Sequence, residues 1–162
     1  MKFEDTTRKI VESECEDYYL GITDLSLAKN SIIKQFKSLI SEYPRAISIG
    51  ITFPYKITGE IKNKSTSIYR ETNCQLKSIT TQLNNLLEKS GYKALILPKS
   101  RLEDKNSPSM HTIIANLADL GEIEKGELVT SEVGANVNWA TILTDAPLFC
   151  LMKSNPKNLP GK

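Results

Sequence analysis

The sequence predicts a single α/β domain in which helices flank both faces of a mixed β-sheet. Three observations lead to this prediction. The chain of 162 residues suits one domain, which would bury about two thirds of the surface of its unfolded chain. Helix-like and strand-like segments follow one another in the approximate order αβαβαβαββ. Residues 46–53 combine β-branched residues with apolar side chains on both faces, which is typical of a covered central strand.

The first part of the chain predicts two helices that alternate with two strands. Asp5 and Thr6 are N-cap residues for a first helix that runs to about Tyr18. Residues 19–25 are strand-like, and Ser26 begins a second helix with apolar residues at helical spacing. Pro44 stops this helix because proline lacks an amide hydrogen and disfavours helix at the preceding residue.

The longest predicted helix covers residues 66–89, where apolar side chains recur every three or four positions. Ser90 and Gly91 end it, and residues 92–97 follow as a strand. Residues 99–108 are polar and are predicted to form a surface loop.

A further helix is predicted from Ser109 to Gly121, and Gly121 is expected to terminate it in the left-handed conformation. Residues 127–130 and 137–143 flank a turn that contains Gly134, which predicts an antiparallel hairpin. Trp139 alternates with Val137 and Thr141 along this hairpin and is predicted to pack in the core or at an interface.

The composition indicates a soluble globular protein, with 40% hydrophobic and 25% charged residues. Its 21 basic and 19 acidic residues give no large positive field, so we expect no nucleic-acid partner. We expect no membrane partner either, because no apolar run approaches the ~20 residues that span a bilayer. The acidic N-terminus lacks the apolar core of a signal peptide, and the predicted location is cytoplasmic.

The cysteine and histidine content argues against a metal site built by this chain alone. Cys15, Cys74 and Cys150 are far apart and form no C-x-x-C pair, so neither a disulfide framework nor an iron–sulfur cluster is expected. His111 is the single histidine, which makes a protein-only zinc site unlikely on ligand count. Any metal is therefore expected to arrive inside a cofactor.

Residues 110–148 resemble the end of the catalytic domain in the epoxyqueuosine reductase-like family of corrinoid iron–sulfur reductases. The likeness extends to residues 17–26, residues 44–51 and the Tyr-x-x-x-Asn-x-x-Leu pattern that begins at Tyr69. The resemblance implies a nitroreductase-like fold, and we expect a corrinoid-reductase-like α/β domain at residues 1–150. Residues 151–162, which contain two prolines and a glycine, are predicted to form an extended tail. The resemblance also implies a cobalamin held against the sheet and a C-terminal ferredoxin-like electron donor, and we expect that donor to be a separate protein.

The resemblance carries over to individual residues, and it implies cofactor contacts at positions that keep the family's residue types. These positions are Tyr69, Asn73, His111, Gly121, Lys125, Thr144 and Asp145. The family's aspartate proton donor has no clear counterpart here, so no catalytic residue is assigned. Purely structural roles remain open for these residues: a hydrogen-bonded histidine, a solvated lysine, a capping Thr-Asp pair and an exposed Tyr-Asn pair.

Five positions within residues 110–148 differ from the family pattern. Thr112 replaces a lysine, Glu122 a tryptophan, Glu124 a glycine, and Asn136 and Asn138 replace two arginines. The lost groups include cations that can hold phosphates or carboxylates, and the gained groups include two carboxylates. A carboxylate in place of the indole must turn to water or bear a large burial cost.

Three functions follow as hypotheses. The first is a stand-alone corrinoid-binding domain that needs an external electron donor for any redox role. The second is a degenerate, cofactor-free interaction or regulatory subunit, with a homodimer through the predicted hairpin around Trp139 as one form. The third and weaker is a flavin-binding reductase, which rests on fold analogy alone.

Overall fold

A computed structural model describes residues 3–27, 36–53, 66–98, 109–148 and 152–154. Four α-helices lie in these ranges: α1 (Phe3–Glu14), α2 (Lys37–Glu42), α3 (Thr66–Lys89) and α4 (Met110–Leu117). Seven strands accompany them: β1 (Tyr18–Asp24), β2 (Arg45–Thr52), β3 (Ala94–Ile96), β4 (Glu122–Glu124), β5 (Glu127–Val129), β6 (Val137–Thr144) and β7 (Met152–Ser154). A 3₁₀ turn, Leu25–Leu27, follows β1. Much of the predicted second helix, the predicted loop at 99–108, Cys150 and residues 155–162 lie outside the described residues.

The main sheet has five strands in the order β3-β6-β2-β1-β7, and each pairing between them is antiparallel. The predicted mixed sheet is therefore wrong for the described strands. β2 and β3 run in the same direction, with α3 between them in the chain. However, β6 enters between these two strands and runs against both, which gives a split β-α-β arrangement.

The predicted hairpin between residues 127–130 and 137–143 is also wrong. β5 pairs instead with β4, and together they form a separate two-stranded sheet. The turn between them is Lys125-Gly126, with φ values of 51° and 80°, as in the type I′ turns whose twist suits a two-residue hairpin. A bridge between Thr130 and Gly134 is what remains of the predicted contact, and β6 joins the main sheet.

One face of the main sheet packs against α1 and α3. The central strands contribute Ile47, Ile49, Ile51, Ala140 and Ile142, and α3 contributes Leu76, Ile79, Leu83 and Leu87, all of them buried. The α3 residues recur at three- and four-residue spacing, so the predicted amphipathic helix over residues 66–89 is confirmed.

The opposite face packs against α2, α4 and the β4–β5 hairpin. Two apolar groups form this layer: Leu25, Ile40, Ala46, Ile113, Ile114 and Leu143 in one, and Tyr19, Ala115, Ala118, Leu120, Leu128, Val137 and Trp139 in the other. Because both faces are covered, β2 is the buried central strand that the sequence predicts. Trp139 is core, as predicted, but it lies on the central strand β6 with 8% exposure and is not on a surface hairpin.

A row of three residues crosses this face, in which Gly50 of β2 pairs with Tyr19 on one side and Trp139 on the other. A methyl group added at Gly50 would lie 2.6 Å from Cζ3 of Trp139, so glycine leaves the space that the indole occupies. The two aromatic rings meet at a centroid distance of 5.8 Å.

Among the described residues, no helix is both long and apolar enough to span a bilayer.

Candidate functional site

Tyr69 and Asn73, two of the residues nominated from the sequence, border an open groove beside α3. The groove has a volume of about 470 Å³. We call it the α3 groove. Its described lining consists of Tyr69, Arg70, Asn73, Cys74 and Lys77. A second cavity of about 440 Å³ adjoins it and shares Arg70 and Cys74 with it. The other described residues of that cavity are Glu14, Glu71 and Gln75.

A buried amide on β6 fixes the side chain of Asn73. Nδ2 of Asn138 donates to Oγ1 of Thr72 at 2.8 Å and to Oδ1 of Asn73 at 2.7 Å. The hydroxyl hydrogen of Thr72 is directed at helix carbonyls, the closer being that of Tyr69 at 3.1 Å, so its oxygen must accept from Asn138. Asn73 therefore turns its oxygen toward β6. Asn73 is exposed and lines the groove, and its Nδ2 hydrogens point away from Asn138.

Tyr69 adds an aromatic wall to the groove. Its ring meets the ring of Phe53 edge to face, with centroids 4.9 Å apart and planes at 66°. Phe53 is 3% exposed and follows directly after β2. Its contact with Tyr69 therefore places the Tyr69 ring at the end of the central strand. Tyr69 itself is half-buried and still reaches the groove.

His111 lies away from the α3 groove, on the buried side of the first turn of α4. Nε2 lies 3.0 Å from the carbonyl oxygen of Pro98, and Nδ1 lies 2.9 Å from Oγ1 of Thr141. A carbonyl only accepts, so Nε2 carries the hydrogen in this bond. Thr141 and Asn138 stand three positions apart on β6 and therefore project from opposite faces of the sheet. These contacts agree with the structural role, a hydrogen-bonded histidine, that the sequence left open for His111.

Gly121 has a steric role that differs from the predicted one. The residue that takes the left-handed conformation after α4 is Asp119, at φ 65°. The N–H of Leu120 bonds the carbonyl of Ala115 at 3.0 Å, which completes a Schellman-type end. An added Cβ at Gly121 would lie 2.7 Å from the carbonyl oxygen of Val129, so glycine allows the chain to pass close to β5.

Lys125 occupies the tip of the β4–β5 turn and is exposed. Glu122, Glu124 and Glu127 on the same hairpin are exposed as well, so the carboxylate that replaces the family's tryptophan faces water. This arrangement agrees with the solvated, charged surface weighed as an alternative for Lys125.

Thr144 and Asp145 hold the start of β3. Oγ1 of Thr144 donates to the carbonyl of Lys93 at 2.7 Å and accepts from the N–H of Ala146 at 3.1 Å. A carboxylate oxygen of Asp145 accepts from the N–H of Lys93 at 2.8 Å. These bonds are the capping role that the sequence left open for the pair.

The seven nominated residues therefore do not converge on one site, and two of them lie at the α3 groove. Sequence reasoning missed three further residues of the groove lining: Arg70, Cys74 and Lys77. Their signal was helical spacing, since Lys77 follows Asn73 by four positions and Cys74 follows Arg70 by four on the same helix.

Burial perturbs three ionisable groups in or near the core. It raises the pKa of Tyr18, and the 2.7 Å hydrogen bond from Tyr18 to Glu12 adds to the rise. Burial raises the pKa of the Cys15 thiol to about 12, and the carboxylates of Glu14, Asp17 and Glu12 add to the rise. Burial also raises the pKa of Tyr19 to about 12, with a further rise from its 2.8 Å hydrogen bond to Glu132.

No group of three or more potential metal ligands occurs within the described part of the chain.

Neither a protein-family profile nor a curated protein matches the sequence of this chain. Solved structures do match its fold. Epoxyqueuosine reductase from Streptococcus thermophilus superposes with a TM-score of 0.59 at 14% identity, covering 93% of this chain and 48% of that one. The Bacillus subtilis enzyme gives a TM-score of 0.55 at 13% identity, covering 91% and 46%.

A third structure, epoxyqueuosine reductase with an epoxyqueuosine-modified tRNA stem loop, also superposes with a TM-score of 0.55 at 13% identity. It covers 91% of this chain and 46% of that one. The chain thus spans about half the length of the reductases that it resembles. At these identities the likeness concerns the fold, and the chain has an epoxyqueuosine reductase-like fold.

Proposed function

We propose that this chain is a corrinoid-binding domain with a redox role that depends on a separate electron donor. The observation that carries the proposal is the likeness of its fold to epoxyqueuosine reductase, which extends over 91–93% of the chain. Fold alone does not determine function, so the proposal also needs a site in this chain that suits the cofactor. The α3 groove supplies the candidate.

The described lining of the groove suits the rim of a corrinoid. A corrin ring is large, mostly apolar and edged with amide side chains whose carbonyls accept hydrogen bonds. The Tyr69 ring offers an apolar face for such a ring, and the Nδ2 hydrogens of Asn73 are oriented to donate to an amide carbonyl. When bound, the corrinoid would supply a cobalt centre that accepts and donates electrons.

A redox role also needs a source of electrons. A ferredoxin-like protein is the proposed donor. The role of this chain is then to bind the cofactor and orient it.

The test is retention of hydroxocobalamin by the purified protein through a desalting column, read by the visible spectrum. We expect corrinoid absorbance to co-elute with the protein, and Tyr69→Ala and Asn73→Ala to reduce it. Asn85→Ala is the matched control, because Asn85 is exposed on the same helix about 18 Å further along its axis. Wild-type protein that elutes colourless would contradict the proposal.

A cofactor-free interaction or regulatory subunit is the second candidate, and a specific observation favours it. His111, Thr144 and Asp145 form short hydrogen bonds with neighbouring residues and lie apart from the α3 groove. Colourless elution would support this candidate and direct work toward partners, a homodimer among them. A parallel run with flavin mononucleotide tests the weaker flavin hypothesis.

A further inference from the structure

We infer that the α3 groove recognises an oxyanion, carried by a phosphate ester or a carboxylate, through Arg70, Asn73 and Lys77. The inference goes beyond the proposed corrinoid function, because it concerns the charge and hydrogen-bond chemistry of the groove and holds for any ligand that brings such a group.

The first support is the charge of the described lining. Arg70 and Lys77 are cations, and the other three described side chains, Tyr69, Asn73 and Cys74, carry O–H, N–H and S–H donors. The two cations stand seven positions apart, which is two helical turns and about 10 Å along the axis. Their long side chains can therefore approach one small anion from opposite ends of the groove.

The second support is the fixed orientation of Asn73, which lies between the two cations in sequence. Its Oδ1 accepts from Asn138 at 2.7 Å, so its Nδ2 hydrogens are the part of the amide left to face a ligand. Asn138 of β6 sets this orientation, and Thr72 of α3 helps to hold Asn138 by accepting from the same Nδ2 at 2.8 Å. A pre-oriented donor between two cations favours an acceptor that carries negative charge.

The third support concerns the cavity on the other side of Arg70. Glu14 and Glu71 line it, and a carboxylate oxygen of Glu14 accepts from Oγ of Ser78 at 2.8 Å. These carboxylates repel an anion from that cavity. Arg70 therefore separates an acidic cavity from a donor-lined groove, and the oxyanion belongs on the side of Lys77.

The experiment is a titration of the full chain with inorganic phosphate, sodium acetate and sodium chloride at matched ionic strength, followed by ¹⁵N NMR. We expect phosphate or acetate to shift the side-chain amide signals of Asn73 and the backbone amides of residues 69–77. Phosphate alone would identify a phosphate ester as the ligand class, and acetate alone a carboxylate. Equal responses to all three salts, or none, would overturn the inference.

Variants assign the effect to the two cations. Arg70→Gln and Lys77→Gln are each expected to weaken binding of the effective anion by about tenfold, the typical effect of one charge-assisted hydrogen bond. Lys89→Gln is the control, since it removes the same charge from the far end of the same helix. Equal weakening by all three variants would indicate general screening and contradict the inference. A protein that binds phosphate here but not hydroxocobalamin would refute the corrinoid proposal alone.

Discussion

Gly50 leaves the space that the indole of Trp139 occupies. A methyl group at this position would lie 2.6 Å from Cζ3 of Trp139 and 2.7 Å from Cγ1 of Val137, and both belong to the packed face of β6. Overpacking of this kind forces side chains or strands to move. The row from Tyr19 through Gly50 to Trp139 therefore depends on the glycine as much as on the aromatic residues.

We predict that Gly50→Ala lowers the free energy of unfolding by about 1–3 kcal/mol, because the indole must leave its position. Urea denaturation followed by fluorescence measures the change, and Trp139 is the only tryptophan of the chain. A change below about 0.5 kcal/mol, the usual size of a surface effect, would show that this face is more loosely packed than described.

Ser48 provides a matched substitution on the same face of β2, two residues earlier. Its hydroxyl oxygen is buried and has no hydrogen-bond partner within the described ranges. Because an unpaired buried polar group is costly, we predict that Ser48→Ala leaves stability unchanged or raises it by up to about 1 kcal/mol. A loss above about 1 kcal/mol in the same denaturation experiment would reveal a partner for the hydroxyl, such as an internal water.

Cys15 and Cys74 are predicted to differ in reactivity. The thiolate is the reactive form, and burial raises the pKa of Cys15 to about 12, whereas Cys74 is exposed in the α3 groove. Iodoacetamide at pH 8 should therefore alkylate Cys74 before Cys15, as read by peptide mass spectrometry over time. Equal rates at the two residues would contradict the raised pKa and the partial burial of Cys15.

At the scale of elements, the β4–β5 hairpin shows how a turn decides strand pairing. Lys125 and Gly126 both have positive φ, a requirement of the type I′ turn, and this pairs β5 with β4. Lys-Gly is an unusual choice for this turn, in which Asn-Gly is preferred. The pairing was therefore hard to predict, and Gly134, also at positive φ, was the more visible turn signal.

We predict that Lys125→Asn raises stability by a few tenths of a kcal/mol, since asparagine tolerates the left-handed conformation better than lysine. Gly126→Ala should lower it by about 1 kcal/mol or more, because alanine is strained at positive φ. Thermal unfolding of the two variants beside wild type tests both signs. Ligand binding at the α3 groove should stay the same in Lys125→Asn. Loss of ligand binding in this variant would show that Lys125 contributes to the binding site.

The sequence was most informative where a periodic pattern matched one buried face. The helix over residues 66–89 and the central strand over residues 46–53 were predicted from apolar spacing and were confirmed. The antiparallel insertion of β6 between β2 and β3 was not predictable in this way, because periodicity says which face is buried and not which strand is the neighbour.

The candidate site was predicted only in part, for a similar reason. The resemblance assigned His111 and Asn73 to one site, but the two side chains contact opposite faces of β6, through Thr141 and Asn138. Arg70 and Lys77 have no counterpart in the motif. They became visible once the structure placed them beside Tyr69 and Asn73 in one groove.

For the whole molecule, the buried thiol and phenol predict a loss of stability at alkaline pH. The Cys15 thiol has an ordinary pKa of 9.0, and its pKa in the folded protein is about 12. The unfolded chain therefore releases this proton first, so stability is retained below about pH 9 and falls as the pH rises toward 12. Tyr18 and Tyr19 act in the same direction, because burial raises the pKa of each phenol as well.

Urea denaturation between pH 8 and pH 11 should show this decline, and the decline should be smaller in Cys15→Ser, which lacks the titrating thiol. An identical pH dependence in the variant would exclude Cys15 as a source of the effect. The unperturbed control is wild type at pH 7, where the Cys15 thiol and the phenols of Tyr18 and Tyr19 are protonated in both the folded and the unfolded state.

The proposed location of the cofactor site is tested most directly by ¹⁵N NMR of the protein titrated with hydroxocobalamin. We expect the backbone amides of residues 69–77 and the side-chain amide of Asn73 to shift together as the corrinoid binds. Shifts confined to the β4–β5 hairpin and Lys125 would place a corrinoid elsewhere. The absence of any shift at saturating hydroxocobalamin would contradict corrinoid binding itself.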